Sequence, residues 1–386
     1  MTSEVVALEA FPVTARFDTP PAPLSLGTAS RRDIVLVKIT CADGTVGWGE
    51  AFHGHSGSAV AEIVRTTMQD VVLGRWVGDT AGVNAETHER FLDGAGMAGG
   101  FSLALSGIDL AMWDAYGKHL GQPVHRLLGG ATTRFATYAG GFTLGFTSPD
   151  RLVESVGTLV ERGFGAGKVR VGDRLDRDLA RLRAVREAFP DVRIMTDANL
   201  GLGYDVAALA QAASALDLDW LEEPYPRTRL EDHVRLRARG WVPVAAGENL
   251  AGAAAFSEWV VRGALDVVQP DVSRAGGLTE CLRIGAIALA AGLRLAPHIS
   301  HGVINHAATL HLLSALGRDH LFEADPTAAN PLRDGLLTGG VRLEDGVAVL
   351  VDEPGFGVQV DEERLAEYAG ETGSPWPRPS RTRRTA

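Results

Sequence analysis

Residues 193–224 read RIMTDANLGLGYDVAALAQAASALDLDWLEEP. The run opens on a short apolar strand, Arg193–Asp197, that ends in a carboxylate. A helical stretch rich in Ala and Leu follows, and a second strand, Asp219–Glu222, ends in another carboxylate. Working outward, the same alternation recurs. Ala136–Phe142, Gly167–Val171, Val242–Glu248, Asp266–Asp271, Arg294–His298 and Leu321–Ala324 are further short strands, separated by helices such as Leu175–Phe189 and Leu278–Ala291. Eight such units in about 200 residues predict a parallel barrel rather than a sandwich.

The barrel strands end in ionisable residues with a regular beat. Lys168 and Arg170 lie on the second strand, Asp197 on the third, Glu222 on the fourth, Glu248 on the fifth, Asp271 on the sixth, His298 on the seventh and Glu323 on the eighth. From Lys168 onward the intervals are 29, 25, 26, 23, 27 and 25 residues, each about one strand–helix unit. The C-terminal ends of such strands converge on one mouth, where active sites of this fold lie. A lone Asp at a strand end is ordinarily a loop residue or a helix N-cap. Seven charges in phase are not explained that way, because burying them is costly unless they are paired or hold a metal. Asp197, Glu222 and Glu248 are hard oxygen donors on successive strands, with no Cys or His at the matching ends. They predict one Mg²⁺ per active site, its shell completed by water and substrate oxygens. Glu223 competes with Glu222, but adjacent strand residues face opposite ways, so one of the two faces the metal.

Residues 1–130 read as an α+β domain. Ile34–Thr40 is a β-branched strand, Asp43-Gly44 a turn and Thr45–Ala51 the return of a hairpin. Helical patterns follow over 59–128, clearest at Ser102–His119 with Gly121 as its C-cap. The barrel is assigned to 131–335, and 336–370, where β character returns, is expected to rejoin the first domain. The remainder, 371–386, is expected to be a disordered, solvated tail.

The 386 residues are 45% apolar and 22% charged, which fits a globular chain. A formal net charge of −11 argues against nucleic acid and anionic membrane as partners. Two cysteines, Cys41 and Cys281, make neither a disulfide framework nor a CxxC motif. No apolar run is long enough to span a bilayer, and MTSEVVALEAFPV does not read as a signal peptide, so a cytoplasmic location is expected.

Several runs together are similar to the enolase superfamily, specifically its mandelate racemase subgroup. They are Gly167-Lys168-Val169-Arg170-Val171-Gly172, Thr196-Asp197-Ala198-Asn199, Trp220-Leu221-Glu222-Glu223-Pro224, Ala246-Gly247-Glu248-Asn249, Gln269-Pro270-Asp271 with Gly276-Gly277, Ala296-Pro297-His298, and Glu323. Gly47-Trp48-Gly49-Glu50 and Ser106-Gly107-Ile108-Asp109 resemble that family's capping domain. The likeness spans about residues 4–365 and rests on the order and spacing of the motifs. It implies an α/β architecture, a modified (β/α)7β TIM-like barrel with an α+β cap. It also implies Mg²⁺ on Asp197, Glu222 and Glu248, with the first Glu of the pair as ligand. The chemistry implied is removal of the proton α to a carboxylate, through an enediolate held by the metal. Proton loss beside a carboxylate builds a second negative charge, which a divalent cation and placed donors offset. By the same resemblance Lys168 contacts the substrate carboxylate, and Glu323 hydrogen-bonds it in a protonated or proton-sharing form. Asp271 orients His298 in a dyad. Asn199, His53 and His55 are the implied substrate contacts. The two histidines would serve distal hydroxyls or a second carboxylate, against the plainer reading of solvated loop residues. A small-molecule carboxylate is the expected partner, and a homo-oligomer the family expectation.

One departure bears on the reaction. Relatives often carry Lys-x-Lys on the second strand, with the second Lys as another base; here that position is Arg170. Arginine stays protonated, so it is a poor base and a good clamp. That leaves His298 as the one good base. Two-base racemisation needs one on each face of the substrate. Dehydration needs one: His298 takes the α-proton and returns it to the departing β-hydroxyl. The expected product is a 2-keto-3-deoxy acid from an aldonate or aldarate. An isomerase (racemase, epimerase or sugar-lactone cycloisomerase) and a non-catalytic metal-stabilised binding protein are the alternatives. The capping loops, Leu24–Ser30 and Phe52–Ser58, carry no readable stereochemical code. Gly94–Gly99 matches GxGxxG but follows a helical stretch, not a strand, and is set aside as a dinucleotide site. His301, His306 and His311 are read as loop or helix residues rather than a second metal site.

Overall fold

The computed structural model describes residues 3–368 apart from Met97, Ala98, Leu202, Ser300, His301, Arg318, Asp319, Ala328 and Ala329. His301 and the 371–386 tail therefore lie outside the described residues.

The chain opens with an antiparallel sheet in the order β1 (Val5–Arg16), β2 (Arg31–Cys41), β3 (Val46–Phe52). Strand β2 is buried along nearly its whole length because both of its faces are covered. Successive side chains point to opposite faces. Ile34 and Leu36 join the large core shared with the barrel, while Val35, Val37 and Ile39 join a separate core beneath the helices α1 (Gly57–Arg65) and α2 (Gly100–His119). Two glycines in Gly-Trp-Gly let β3 lie against α2: a side chain at Gly49 would overlap the Gly107 carbonyl, and one at Gly47 the Ala111 carbonyl. The predicted helix Ser102–His119 is observed with two more residues at its start, and Gly121 follows it at φ +63°.

From residue 134 strand and helix alternate. The elements are β4 (Arg134–Ala139), α3 (Pro149–Glu161), β5 (Ala166–Arg170), α4 (Leu175–Ala188), β6 (Arg193–Asp197) and α5 (Val206–Ala212). They continue with β7 (Leu218–Glu222), α6 (Leu230–Arg237), β8 (Val244–Ala246), α7 (Ala253–Val261) and β9 (Val267–Val268). The last are α8 (Gly277–Ala290), β10 (Arg294–Leu295), α9 (Val303–Leu316) and β11 (Phe322–Ala324). The strands pair in parallel in sequence order, and β11 returns to pair with β4. This is a (β/α)7β barrel.

The barrel interior explains where the charges go. Tyr138, Ala166, Met195, Trp220, Ala245, Val267 and Ala296 form one buried layer inside it. Two residues further along each strand faces the same way. That step leads to Lys168, Asp197, Glu222, Gln269 and His298, the floor of the mouth. Some strands are shorter than the sequence suggests. The ladder stops at Ala246, Val268 and Leu295, so Glu248, Asp271 and His298 stand beyond the paired strands and not on their last residues. The backbone leaves the ladder as it bends over the mouth; at Gly247 φ is +141°.

After β11 the chain forms β12 (Leu337–Gly339), β13 (Val341–Glu344), β14 (Val347–Leu350) and β15 (Val358–Val360). The β13–β14 hairpin stays with the barrel, β14 pairing antiparallel with β4. The following turn reaches the capping domain, where the Phe356 N–H donates to Asp114 Oδ1 (2.9 Å) and Lys38 pairs with Glu362 (2.5 Å). Among the described residues no helix is long and apolar enough to cross a membrane.

Candidate active site

Strand β5 supplies Lys168 and Arg170, two residues apart and hence side by side. Lys168 is fully buried. Its Nζ stands 2.5 Å from Glu222 Oε1, 2.8 Å from Glu323 Oε1 and 3.6 Å from Asp197 Oδ2. Burial alone would lower its pKa; the three carboxylates outweigh burial and hold it raised, so Lys168 is a firm cation here. Arg170 pairs with Asp197 Oδ2 and donates to the Gly141 carbonyl (2.5 Å) and Asn199 Oδ1 (3.3 Å). Asn199 donates in turn to both oxygens of Asp197, from its backbone N–H (2.8 Å) and its Nδ2 (3.2 Å).

Asp197, Glu222 and Glu248 each offer an oxygen, and the three lie within 4.8 Å of one another. Glu222 Oε2 accepts from Gln269 Nε2 (2.7 Å) and Trp220 Nε1 (3.1 Å), which fix its orientation. Burial raises the Glu222 pKa and so do Asp197, Glu323 and Glu248; Lys168 opposes them. Three crowded carboxylates, with no His or Cys grouped with them among the described residues, suit a hard divalent cation, which would relieve that crowding. Glu223 belongs elsewhere. At φ +42° it turns off the strand, and its Oε1 accepts from the Gly247 N–H (3.2 Å). Its raised pKa comes from burial and then from Glu248.

On the β9 and β10 side, His298 Nδ1 stands 2.7 Å from Asp271 Oδ2, and its Nε2 3.2 Å from Glu248 Oε2. Burial pushes the imidazole pKa down, but Glu248 and the Asp271 hydrogen bond raise it overall. Asp271 Oδ1 accepts from the Ser273 N–H, the Ser273 hydroxyl and Asn305 Nδ2, each at 2.7 Å. For Glu323 the expectation is a protonated or proton-sharing form once a substrate carboxylate lies against it. Burial would raise its pKa, but Lys168 at 2.8 Å and His298 hold it below the ordinary range, so in this arrangement it is an anion.

His53 and His55 sit on the capping side near Arg274, with ring centroids 5.4 Å apart. His53 is buried and accepts at Nδ1 from the His55 N–H (3.0 Å). Burial first, then His55, Arg274 and Arg31, lower its pKa to about 3, so it is neutral. Arg274, which sequence reasoning did not single out, stacks on Phe52 (3.9 Å) and approaches Asp271 (3.2 Å) and Glu248 (3.7 Å). Its place three residues after Asp271 was the available signal. Gln269 and Trp220 are legible in the sequence as motif letters without a role, although Trp220 lies on the inward phase of β7 and Gln269 continues that phase one residue past β9.

His306 and His311 are packed on α9. His306 Nδ1 stands 2.6 Å from the Gly302 carbonyl, and His311 Nδ1 accepts from the His125 N–H (2.8 Å). Gly94 and Gly96 follow a π-helical turn, His88–Leu92, rather than a strand.

Comparison with known proteins identifies the family of this fold. Residues 7–129 match the family model described as the N-terminal domain of mandelate racemase / muconate lactonizing enzyme, and residues 151–364 that of the enolase C-terminal domain-like fold. The chain belongs to the mandelate racemase/muconate lactonizing enzyme family of the enolase superfamily. Among its relatives in this family, D-galactarolactone cycloisomerase of Agrobacterium fabrum is 33% identical, over 95% of this chain and 98% of its own. Arabinonate dehydratase of Saccharolobus solfataricus is 29% identical over 87% and 90%. A solved enolase superfamily member from Polaromonas sp. JS666 superposes with a TM-score of 0.91 at 33% identity, covering 97% of this chain and all of that one. A racemase from Streptomyces coelicolor A3(2) with bound magnesium gives 0.85 at 28% identity, covering 95% and 99%. The chain is thus an enzyme of a family whose relatives here are acid-sugar dehydratases and sugar cycloisomerases.

Proposed function

We propose that this enzyme eliminates the β-oxygen of a polyhydroxy acid after removal of its α-proton, and that its reaction is the Mg²⁺-dependent dehydration of an aldonate or aldarate to a 2-keto-3-deoxy acid. The reading rests on one contrast. His298 has a carboxylate partner at Nδ1 and turns Nε2 toward the carboxylate cluster, whereas the β5 position that often holds a second base is an arginine locked onto Asp197. Asp197, Glu222 and Glu248 would hold the cation. When bound, it supplies positive charge against the second negative charge that builds as the α-proton leaves.

The chain's own groups do the rest. Lys168 binds the substrate carboxylate, exchanging part of its pairing with Glu222 and Glu323 for the ligand. Arg170 remains a fixed cation beside it. Asp271 keeps the His298 ring oriented and favours its protonated form. His298 takes the α-proton and, as imidazolium, passes it to the departing oxygen. If that oxygen is a free hydroxyl, water leaves. If it belongs to a lactone ring, the ring opens and the reaction is a cycloisomerisation. The 33% identity to a galactarolactone cycloisomerase makes that second outcome worth the same assay.

The test is a panel of aldonates, aldarates and their lactones incubated with protein and Mg²⁺, followed by detection of 2-keto acids. Formation of a 2-keto-3-deoxy acid from an open-chain acid, lost in His298→Asn, is expected. Turnover of lactones alone would replace dehydration by ring opening, and epimerisation without 2-keto acid would overturn elimination.

A further inference from the structure

Helix α9 begins at Val303, five residues after His298, and its N-cap residue Gly302 brings no side-chain cap of its own. The first N–H groups of a helix need acceptors. Here the capping domain provides them: Glu50, at 0% exposure, accepts from the Gly302 N–H (2.9 Å) and the Asn305 N–H (3.1 Å). Any side chain at residue 302 would overlap the Glu50 carboxylate, so this glycine answers to space rather than to φ. The positive end of the helix favours a carboxylate there.

Asn305 is the pivot. Its backbone N–H is held by Glu50, and its Nδ2 donates to Asp271 Oδ1 (2.7 Å). The other oxygen of Asp271 meets His298 Nδ1 at 2.7 Å. A second tie runs in parallel. The Phe52 N–H donates to the Ser273 carbonyl (3.0 Å), and Ser273 itself donates twice to Asp271. Strand β3 thus touches both residues that donate to Asp271 Oδ1.

We propose that Glu50 is a positioning residue for the Asp271–His298 dyad, acting through the N-terminus of α9 and Asn305. Docking of the capping domain then sets the geometry of the proton-transfer group as well as covering the mouth. The proposal goes beyond the functional reading above, and its structural arm holds whichever substrate is turned over.

The molecule contains its own control. Asp109 on α2 plays the same part for α8, accepting from the Thr279 N–H (3.0 Å), while Ser106 accepts from the Gly276 N–H (2.9 Å). This interdomain cap is also fully buried, yet Asp109 is not in the chain of bonds through Asn305.

Glu50→Gln keeps the shape but turns an amide NH₂ toward N–H donors. At pH 8 with saturating Mg²⁺, kcat should fall about 10-fold or more, the scale typical of outer-shell positioning groups, with KM little changed. In the metal-free protein, the downfield Nδ1–H proton resonance of His298, assigned by its absence in His298→Asn, should move upfield or broaden. Asn305→Ala should reproduce both effects with Glu50 intact. Asp109→Asn should lower Tm comparably while sparing kcat and the resonance. Equal proportional losses of Tm and kcat in Glu50→Gln and Asp109→Asn would overturn the proposal, as would an unshifted resonance in Glu50→Gln. Should Glu50→Gln not fold, an unshifted resonance in Asn305→Ala overturns it alone. Turnover surviving in His298→Asn would count against the functional reading, while the resonance arm still decides the role of Glu50.

Discussion

On the β5 wall of the mouth, Lys168 and Arg170 are clasped by Glu222, Glu323 and Asp197, charge against charge. On the wall carried by β9 and β10, His298 leans on Asp271, whose Oδ1 is held by neutral donors from Ser273 and Asn305, while the Arg274 guanidinium stands 3.2 Å from its Oδ2. The ties to the capping domain differ in the same sense. Near the β5 wall the link is a buried ion pair, Arg32 to Asp325 (2.6 Å), just past Glu323. Near the dyad it is helix capping by Glu50 and Asp109. Fixed charges suit groups that must not change protonation. Neutral, directional donors suit a group that gains and loses a proton in each turnover, because they hold its partner without pinning the charge state.

The sharpest way to break this contrast is to ask which wall moves the proton. His298→Asn should abolish turnover and exchange of the substrate α-proton with D₂O. Arg170→Lys should keep exchange, and by adding a second base it should permit some epimerisation. Exchange that survives in His298→Asn but disappears in Lys168→Met would move the base to the β5 wall and reopen a two-base isomerase.

Between the walls stand the three carboxylates. Chelation should remove activity and Mg²⁺ restore it. Glu222→Gln should weaken Mg²⁺ binding, followed calorimetrically, far more than Glu223→Gln. The carboxylate of Glu222 lies in the cluster with its orientation fixed, while that of Glu223 is turned to the Gly247 N–H. Equal weakening in the two variants would remove the assignment.

Much of the site was legible because a barrel strand repeats every two residues and the units repeat about every 25. That put Lys168, Asp197, Glu222 and His298 on one rim. It did not show that Glu248, Asp271 and His298 stand past the ladder, because pairing ends where strands diverge and side-chain type carries no trace of that. Glu50 and Asp109 were visible as motif letters only. Their role as caps exists once two domains dock, and no local pattern encodes a helix end borrowed from 170 residues away or more. The ion pair of Glu323 was not legible for a related reason: it depends on the 2.8 Å approach of Lys168.

The Arg32–Asp325 pair tests the charged tie. Burial would raise the Asp325 pKa, but Arg32 and the Thr327 hydrogen bonds lower it to about 2. A carboxyl whose folded pKa is depressed stabilises the fold above its ordinary range near 4, and that contribution is lost as pH falls through about 2. Asp325→Asn should remove this acid-linked part of the stability. It should also leave Arg32 buried without its counter-charge, at a cost of about 3–5 kcal/mol at neutral pH. Denaturant titrations from pH 7 to pH 2 read both. An unchanged pH profile in the variant would show that the pair does not anchor this wall.

The smallest effect concerns Lys168 itself. Lys168→Met removes a charged donor that the functional reading assigns to the substrate carboxylate, and loss of one charge-assisted hydrogen bond costs about 1.5–3 kcal/mol. The contact is made in the ground state and tightens as the carboxylate takes on the enediolate charge, so KM and kcat should suffer together rather than KM alone. Lys168 also offsets Glu222, Glu323 and Asp197, all within 3.6 Å of its Nζ. Its removal leaves three buried carboxylates facing one another with less positive charge between them. Mg²⁺ should therefore stabilise the variant against heat more than it stabilises the wild type, since the cation and Arg170 now carry the part that Lys168 had. A kcat/KM near wild type would dismiss Lys168 as a substrate clamp. A Mg²⁺-induced rise in Tm no larger than in wild type would show that the β5 wall does not depend on charge neutralisation, and the contrast between the two walls would go with it.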